Sequence, residues 1–157
     1  MVDDPKHLKN LSPAEQLGRT ARLWRAVADR DLASLELTYS RWTALWKLMR
    51  LGDNVSQKTL AESLEIELGS LMRTLNQLEG QGLIERHCNE EDKRARIISL
   101  TDRGKDVMKT IESRVLRIRR NLMAGIDEEE LNQLRSTLEK IEHNALAYLS
   151  NEEGKKS

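Results

Sequence analysis

The stretch that most constrains this chain runs over residues 56–81. Ser56 can cap a helix, and Val55 and Leu60 stand at the positions of a hydrophobic staple around it. The spacing predicts a short helix over 57–64 with Leu60, Ala61 and Leu64 inward. A three-residue turn, Glu65-Ile66-Glu67, follows. A second helix runs to Gln81, with Leu68, Leu71, Leu75 and Leu78 on its inner side and Gly82 ending it. Its outer side carries Ser70, Arg73, Thr74 and Gln77. Two short helices across a tight turn, the second presenting small and hydrogen-bonding residues, form a helix-turn-helix pattern.

The next segment adds strands to these helices. Leu83 to Cys88 and Ile97-Ile98-Ser99-Leu100 are short and suited to strands. Between them lies Asn89-Glu90-Glu91-Asp92-Lys93-Arg94-Ala95-Arg96, polar except for one alanine. This predicts a β-hairpin with a long charged tip, a wing directly after the second helix.

Helices flank this unit on both sides. Ser12-Pro13-Ala14-Glu15 is a start signal, and Leu17, Ala21, Trp24 and Ala28 then repeat at helical spacing to about Leu32. Thr38 reads as the cap of a helix carrying Trp42, Leu45, Trp46, Leu48 and Met49, which Gly52 ends. Thr101 caps another, with Met108, Ile111, Val115, Ile118 and Leu122 on one face, closed by Gly125. Ile126, Asp127, Glu130 and Leu131 make a staple and capping box for the last helix, striped by Leu134, Leu138, Ile141, Ala145 and Tyr148. The polar tail 151–157 is expected to fray. The fold class expected is mainly α with a small β-wing. A winged helix-turn-helix at about 38–100 is flanked by dimerisation helices at about 13–32 and 101–150, in one domain over 1–157. The end helices carry more apolar surface than a winged helix can cover, which argues for a homodimer.

Composition narrows the classes. Phe is absent and aromatic residues make up only 3%, so the core must be aliphatic. Lys plus Arg and Asp plus Glu are 26 each, so net charge by itself gives no argument for nucleic acid. No apolar run nears the ~20 residues of a membrane helix. The start, Met1-Val2-Asp3-Asp4-Pro5, lacks an apolar signal region, so a cytoplasmic protein is expected. His7, His87 and His143 lack metal-ligand spacing. The single cysteine, Cys88, reads as an inert small hydrophobe rather than a redox switch. No phosphate loop or nucleophile–base set stands out, so neither an enzyme nor a cofactor is expected.

The order of elements resembles the MarR family of bacterial transcription regulators. Asp92-Lys93-Arg94 followed by Ile98-Ser99-Leu100-Thr101 is similar to that family's wing signature. Leu23-Trp24-Arg25-Ala26, Leu35-Glu36-Leu37-Thr38, Ser70-Leu71-Met72-Arg73-Thr74-Leu75 and Lys140-Ile141-Glu142-His143-Asn144 resemble its SlyA/RovA branch. The resemblance implies a dimer on pseudo-palindromic, AT-rich double-stranded DNA that acts as repressor or activator and competes with silencing nucleoid proteins. It implies base reading by Arg73 with Ser70 beside it, and minor-groove contact by Arg94 with Lys93 beside it. Thr74, Gln77 and Arg96 complete the expected DNA-binding set. It also implies a site for phenolic or aromatic carboxylate ligands such as salicylate, around Arg22, Arg25 and Trp42. Gly69 departs from the proline expected at the start of the recognition helix, and Lys93 from the usual arginine.

Two other classes fit a winged helix. One is a protein–protein interaction module, which has no need of arginines on both the second helix and the wing tip. The other is a nucleoid-associated protein that binds DNA without sequence preference.

Overall fold

The computed structural model describes residues 12–52 and 54–155. The expectations for Met1-Val2-Asp3-Asp4-Pro5 and for His7 lie outside them. The elements run α1 (Pro13–Leu32), a 3-10 turn (Ala33–Leu35), α2 (Tyr39–Leu51), β1 (Val55–Ser56), α3 (Gln57–Leu64), α4 (Leu68–Gly80), β2 (Ile84–Cys88), β3 (Arg96–Leu100), α5 (Asp102–Leu122) and α6 (Glu128–Lys155). This is the expected class, mostly helical with a small antiparallel sheet.

Local chemistry accounts for most boundaries. Ser12 accepts a hydrogen bond from the Glu15 amide at 3.2 Å, and Ser56 accepts one from the Thr59 amide at 3.0 Å. The Thr101 hydroxyl accepts from the Gly104 amide at 3.0 Å and donates to the Gly82 carbonyl at 2.6 Å. Asp127 and Glu130 each accept from the other's backbone amide, at 2.8 and 3.0 Å, a complete capping box. Thr38 stands at the cap of α2, but its side chain makes no capping bond. Gly82, at φ +72°, lets the Leu83 amide turn back to the Leu78 carbonyl at 3.0 Å and ends α4.

The sheet has three strands in the order β1-β3-β2, all antiparallel. The hairpin was expected; β1 was not. Val55 pairs with Ile98 and Ser56 with Ile97. A two-residue strand has no alternation to reveal it, and Ser56 reads equally well as a cap.

The core is aliphatic. Leu32, Leu45, Leu60, Leu71, Leu75, Leu78, Ile84, Ile98 and Ile111 are fully buried, while Trp42 and Trp46 pack at its edge half-buried. Arg117 grips the Asp31 carboxylate with 2.8 Å bonds to both oxygens, and Arg114 reaches the Asp31 carbonyl, tying α5 to the end of α1.

The chain divides into two compact units between Leu122 and Met123. In the first, α1 buries only Ala28 and Leu32, and Leu17, Leu23, Trp24 and Val27 remain exposed. The second is chiefly α6, which continues through the polar tail to Lys155 rather than fraying at Asn151. Leu134, Ile141, Leu146, Tyr148 and Leu149 are exposed along it. Among the described residues no helix is long and apolar enough to cross a membrane.

Candidate nucleic-acid interface

The outer face of α4 is built by its period. Leu71, Leu75 and Leu78 point into the core, which leaves Ser70, Arg73 and Gln77 exposed. Thr74 departs from its expected outward position: it is 7% exposed, and its hydroxyl donates to the Ser70 carbonyl at 3.4 Å. Positions 71, 74, 75 and 78 form one helical stripe, and Thr74 lies inside it. The local bond satisfies its hydroxyl and permits burial. Leu68, expected inward, is instead exposed on the first turn. Gln77 is not a free side chain, because its amide oxygen accepts from Arg41 Nε at 3.1 Å.

The wing tip folds through its own backbone. The Asn89 amide donates to the Ala95 carbonyl and the Ala95 amide to the Asp92 carbonyl, both at 3.0 Å. Asp92 Oδ1 accepts from the Arg94 amide at 3.1 Å, and Asn89 Oδ1 from the Glu91 amide at 3.0 Å. Asp92 thus shapes the turn through main-chain bonds. Lys93 and Arg94 are exposed on this turn. Arg96 is not on the tip: it opens β3 opposite Cys88, with its side chain exposed. Cys88 is itself exposed, not packed as a small hydrophobe.

One residue that the sequence did not single out joins wing to helix. Arg86 on β2 donates to both Glu79 oxygens at 3.1 Å and to Asn76 Oδ1 at 2.7 Å. The bond from Arg86 holds the Glu79 carboxyl below its ordinary value, helped by the charges of Arg86 and Arg96 and opposed by burial. Nothing in the spacing could have marked Arg86, since a strand of alternating polar residues has several equivalent candidates.

Behind α4 lies a cavity of about 550 Å³, bounded by α2, the α3–α4 turn, α4 and α5. Tyr39, Trp42, Trp46 and Val115 supply its apolar wall, and Lys47 and Arg119 its positive charge. The Tyr39 and Trp42 rings meet edge to face at 5.4 Å. Trp42 Nε1 is buried without a hydrogen-bond partner, an arrangement that an acceptor would relieve. Of the residues expected around a ligand, Trp42 lines this cavity. Arg25 does not, but stacks on Tyr39 with 4.1 Å between guanidinium and ring centre, and pairs with Asp29 at 3.7 Å. Arg22 does not line it and lies back along α1 over Gly18.

The MarR family model matches residues 37–95, from just before α2 to the wing tip. Among solved structures, the transcriptional regulator PA3341 is 36% identical; the match covers 85% of this chain and 98% of that one, with a TM-score of 0.78. The transcriptional regulator SlyA is 23% identical over 84% of this chain and 92% of its own, with a TM-score of 0.76. The S. aureus MepR–DNA complex is 21% identical over 86% and 97%, with a TM-score of 0.79. The last two are likenesses of fold. A family match across the helix-turn-helix and wing, joined to a regulator matched at 36% identity over nearly its whole length, establishes that this chain belongs to the MarR family of transcriptional regulators.

Proposed function

We propose that the chain is a dimeric, sequence-specific DNA-binding repressor or activator. In this reading α4 enters the major groove and the wing reaches the adjacent minor groove. The observation that carries it is the exposed Arg73 on α4 together with exposed Lys93 and Arg94 on a hairpin that Arg86 clasps to the same helix. Arg73 can bond guanine edges bidentately, with Ser70 and Gln77 beside it. Lys93 and Arg94 serve the minor groove and its phosphates, and Arg96 reinforces the field from β3. The buried Thr74 is withdrawn from the set. That MepR was solved on DNA supports the same use here.

The exposed apolar residues of α1 and of α6 favour a homodimer on a pseudo-palindromic, AT-rich site. The SlyA/RovA type of action, displacing silencing nucleoid proteins, belongs to this reading on the strength of the sequence motifs. A salicylate-like aromatic carboxylate fits the cavity behind α4: indole rings for its ring, Lys47 and Arg119 for its charge. Arg25, stacked on Tyr39, adds a guanidinium at the rim, and Arg22 stands one turn further back.

The test is a genomic footprint followed by anisotropy titrations on specific and scrambled duplexes at several salt concentrations. Arg73→Ala is expected to lose about 5- to 150-fold on the specific duplex and far less on the scrambled one. Lys93→Ala should weaken both alike and reduce the salt slope by about one. Salicylate should weaken specific binding. Equal losses by Arg73→Ala on both duplexes would sink base reading by α4. A protein that protects no preferred site is a non-specific nucleoid protein, and one that binds no DNA is a protein-docking module.

A further inference from the structure

Arg41 is the third residue of α2 and has no part in the expected DNA-binding set, yet it reaches the outer face of α4. Its Nε donates to Gln77 Oε1 at 3.1 Å. Its Nη1 donates to the Glu36 carbonyl at 3.4 Å and, more weakly, to Gln81 Oε1 at 3.5 Å. Glu36 takes a left-handed conformation, φ 56°, at the end of the 3-10 turn, and Gln81 Nε2 approaches the same carbonyl at 3.5 Å. Arg41 as a residue is half-buried, and among the described residues it forms no ion pair.

The chemistry of this contact decides how the Gln77 amide stands. Guanidinium only donates, and a glutamine amide accepts only through its oxygen. The oxygen must therefore face Arg41, and the NH2 group is the end left free on the exposed face. A cation on the carbonyl also draws charge from the amide nitrogen and makes its N–H groups stronger donors.

We propose that Arg41 is a positioning residue that sets the specificity of Gln77. It holds the amide oxygen and presents the NH2 to base-edge acceptors, so that Gln77 selects guanine or thymine over adenine. A glutamine that reads adenine uses its oxygen for N6–H and its nitrogen for N7 together. Here one of the oxygen's two lone pairs is taken by a cation and the amide plane is set by that bond, which disfavours the paired geometry that adenine needs. Guanine N7 and O6, and thymine O4, offer acceptors only.

This inference rests on the proposed role of α4 in the major groove, and its test separates the two. Each base pair of the footprinted site is varied through all four bases. Binding is then titrated with wild type, Gln77→Ala, Arg41→Ala, Arg41→Met and the Arg41→Ala/Gln77→Ala double variant. Gln77→Ala is expected to erase a preference of about tenfold at one pair per half-site, the favoured base there being guanine or thymine. Arg41→Ala and Arg41→Met should reduce the preference to about twofold or shift it toward adenine at that same pair, leaving other positions unchanged. The double variant should bind no worse than Gln77→Ala. Arg41→Met keeps the aliphatic stem, so it serves if Arg41→Ala melts early. A uniform loss on every duplex with a smaller salt slope would make Arg41 a phosphate contact and overturn the proposal. So would adenine at the Gln77 pair, or additive losses in the double variant. If Gln77→Ala alters no position, the proposal fails while the Arg73→Ala result still decides whether α4 reads bases.

Discussion

Glu79 and Arg86 are seven residues apart, one on α4 and one on β2, and they form a two-bond ion pair between helix and wing. In the fold the Glu79 carboxyl sits below its ordinary value of 4.5, chiefly through the Arg86 bond. A group whose folded value is depressed stabilises the fold fully above its unfolded value, and loses that contribution as pH falls through the folded one. Glu79→Gln should therefore lower the melting temperature at neutral pH. The gap from wild type should close as pH is taken below about 4.5. Glu79 is 45% exposed, so solvent screening keeps the effect below ~1 kcal/mol. Thermal melts in half-unit pH steps check this, and a gap that widens toward acid would contradict it. Thr74 carries a different lesson: a hydroxyl that bonds its own helix can occupy a core position that its polarity argues against.

Two glycines separate local from tertiary demands on the elements. Gly69, on the first turn of α4, has open space around the position of a Cβ. Gly104, on the first turn of α5, is buried under Leu83: a Cβ there would overlap the Leu83 carbonyl oxygen and come within 3.0 Å of its carbon. Gly69→Ala should stabilise by ~0.5–1 kcal/mol, because alanine loses less backbone freedom on folding. Gly104→Ala should cost ~1–3 kcal/mol, because the neighbour is backbone and cannot rotate away. Urea unfolding of both variants reads the two signs. A neutral Gly104→Ala would mean that α5 can move off the sheet without loss.

At the scale of the whole molecule the unfinished feature is apolar surface. Among the described residues α6 buries none fully over 28 positions, and Leu146, Tyr148 and Leu149 are each at least 60% exposed. A single helix with such a stripe is marginal in water unless a partner covers it. We expect a dimer of twice the 18.1 kDa chain mass in light scattering at micromolar concentration. Leu134→Arg or Leu138→Arg should give monomer or aggregate and lose operator binding. A stable wild-type monomer would remove the two-fold arrangement and the paired half-sites with it.

Helix starts and stops were legible because capping acts within four residues, as at Ser56, Thr101 and the Asp127–Glu130 box. The aliphatic core stripes were legible because a helix repeats every 3.6 residues, and the hairpin because its strands flank one long polar run. The exposed Ser70, Arg73 and Gln77 came from the same period. Contacts that join distant elements were not legible. The pairing of Val55 with Ile98 and the bond from Arg41 to Gln77 link residues 43 and 36 positions apart. Arg86 chose Glu79 and Asn76 from among many acceptors only once β2 lay against α4. The sequence motifs put ligand charge at Arg22 and Arg25, whereas Lys47 and Arg119 line the cavity. Periodicity tells which face of a helix is apolar; which side chains converge across a space between helices is decided by how those faces pack.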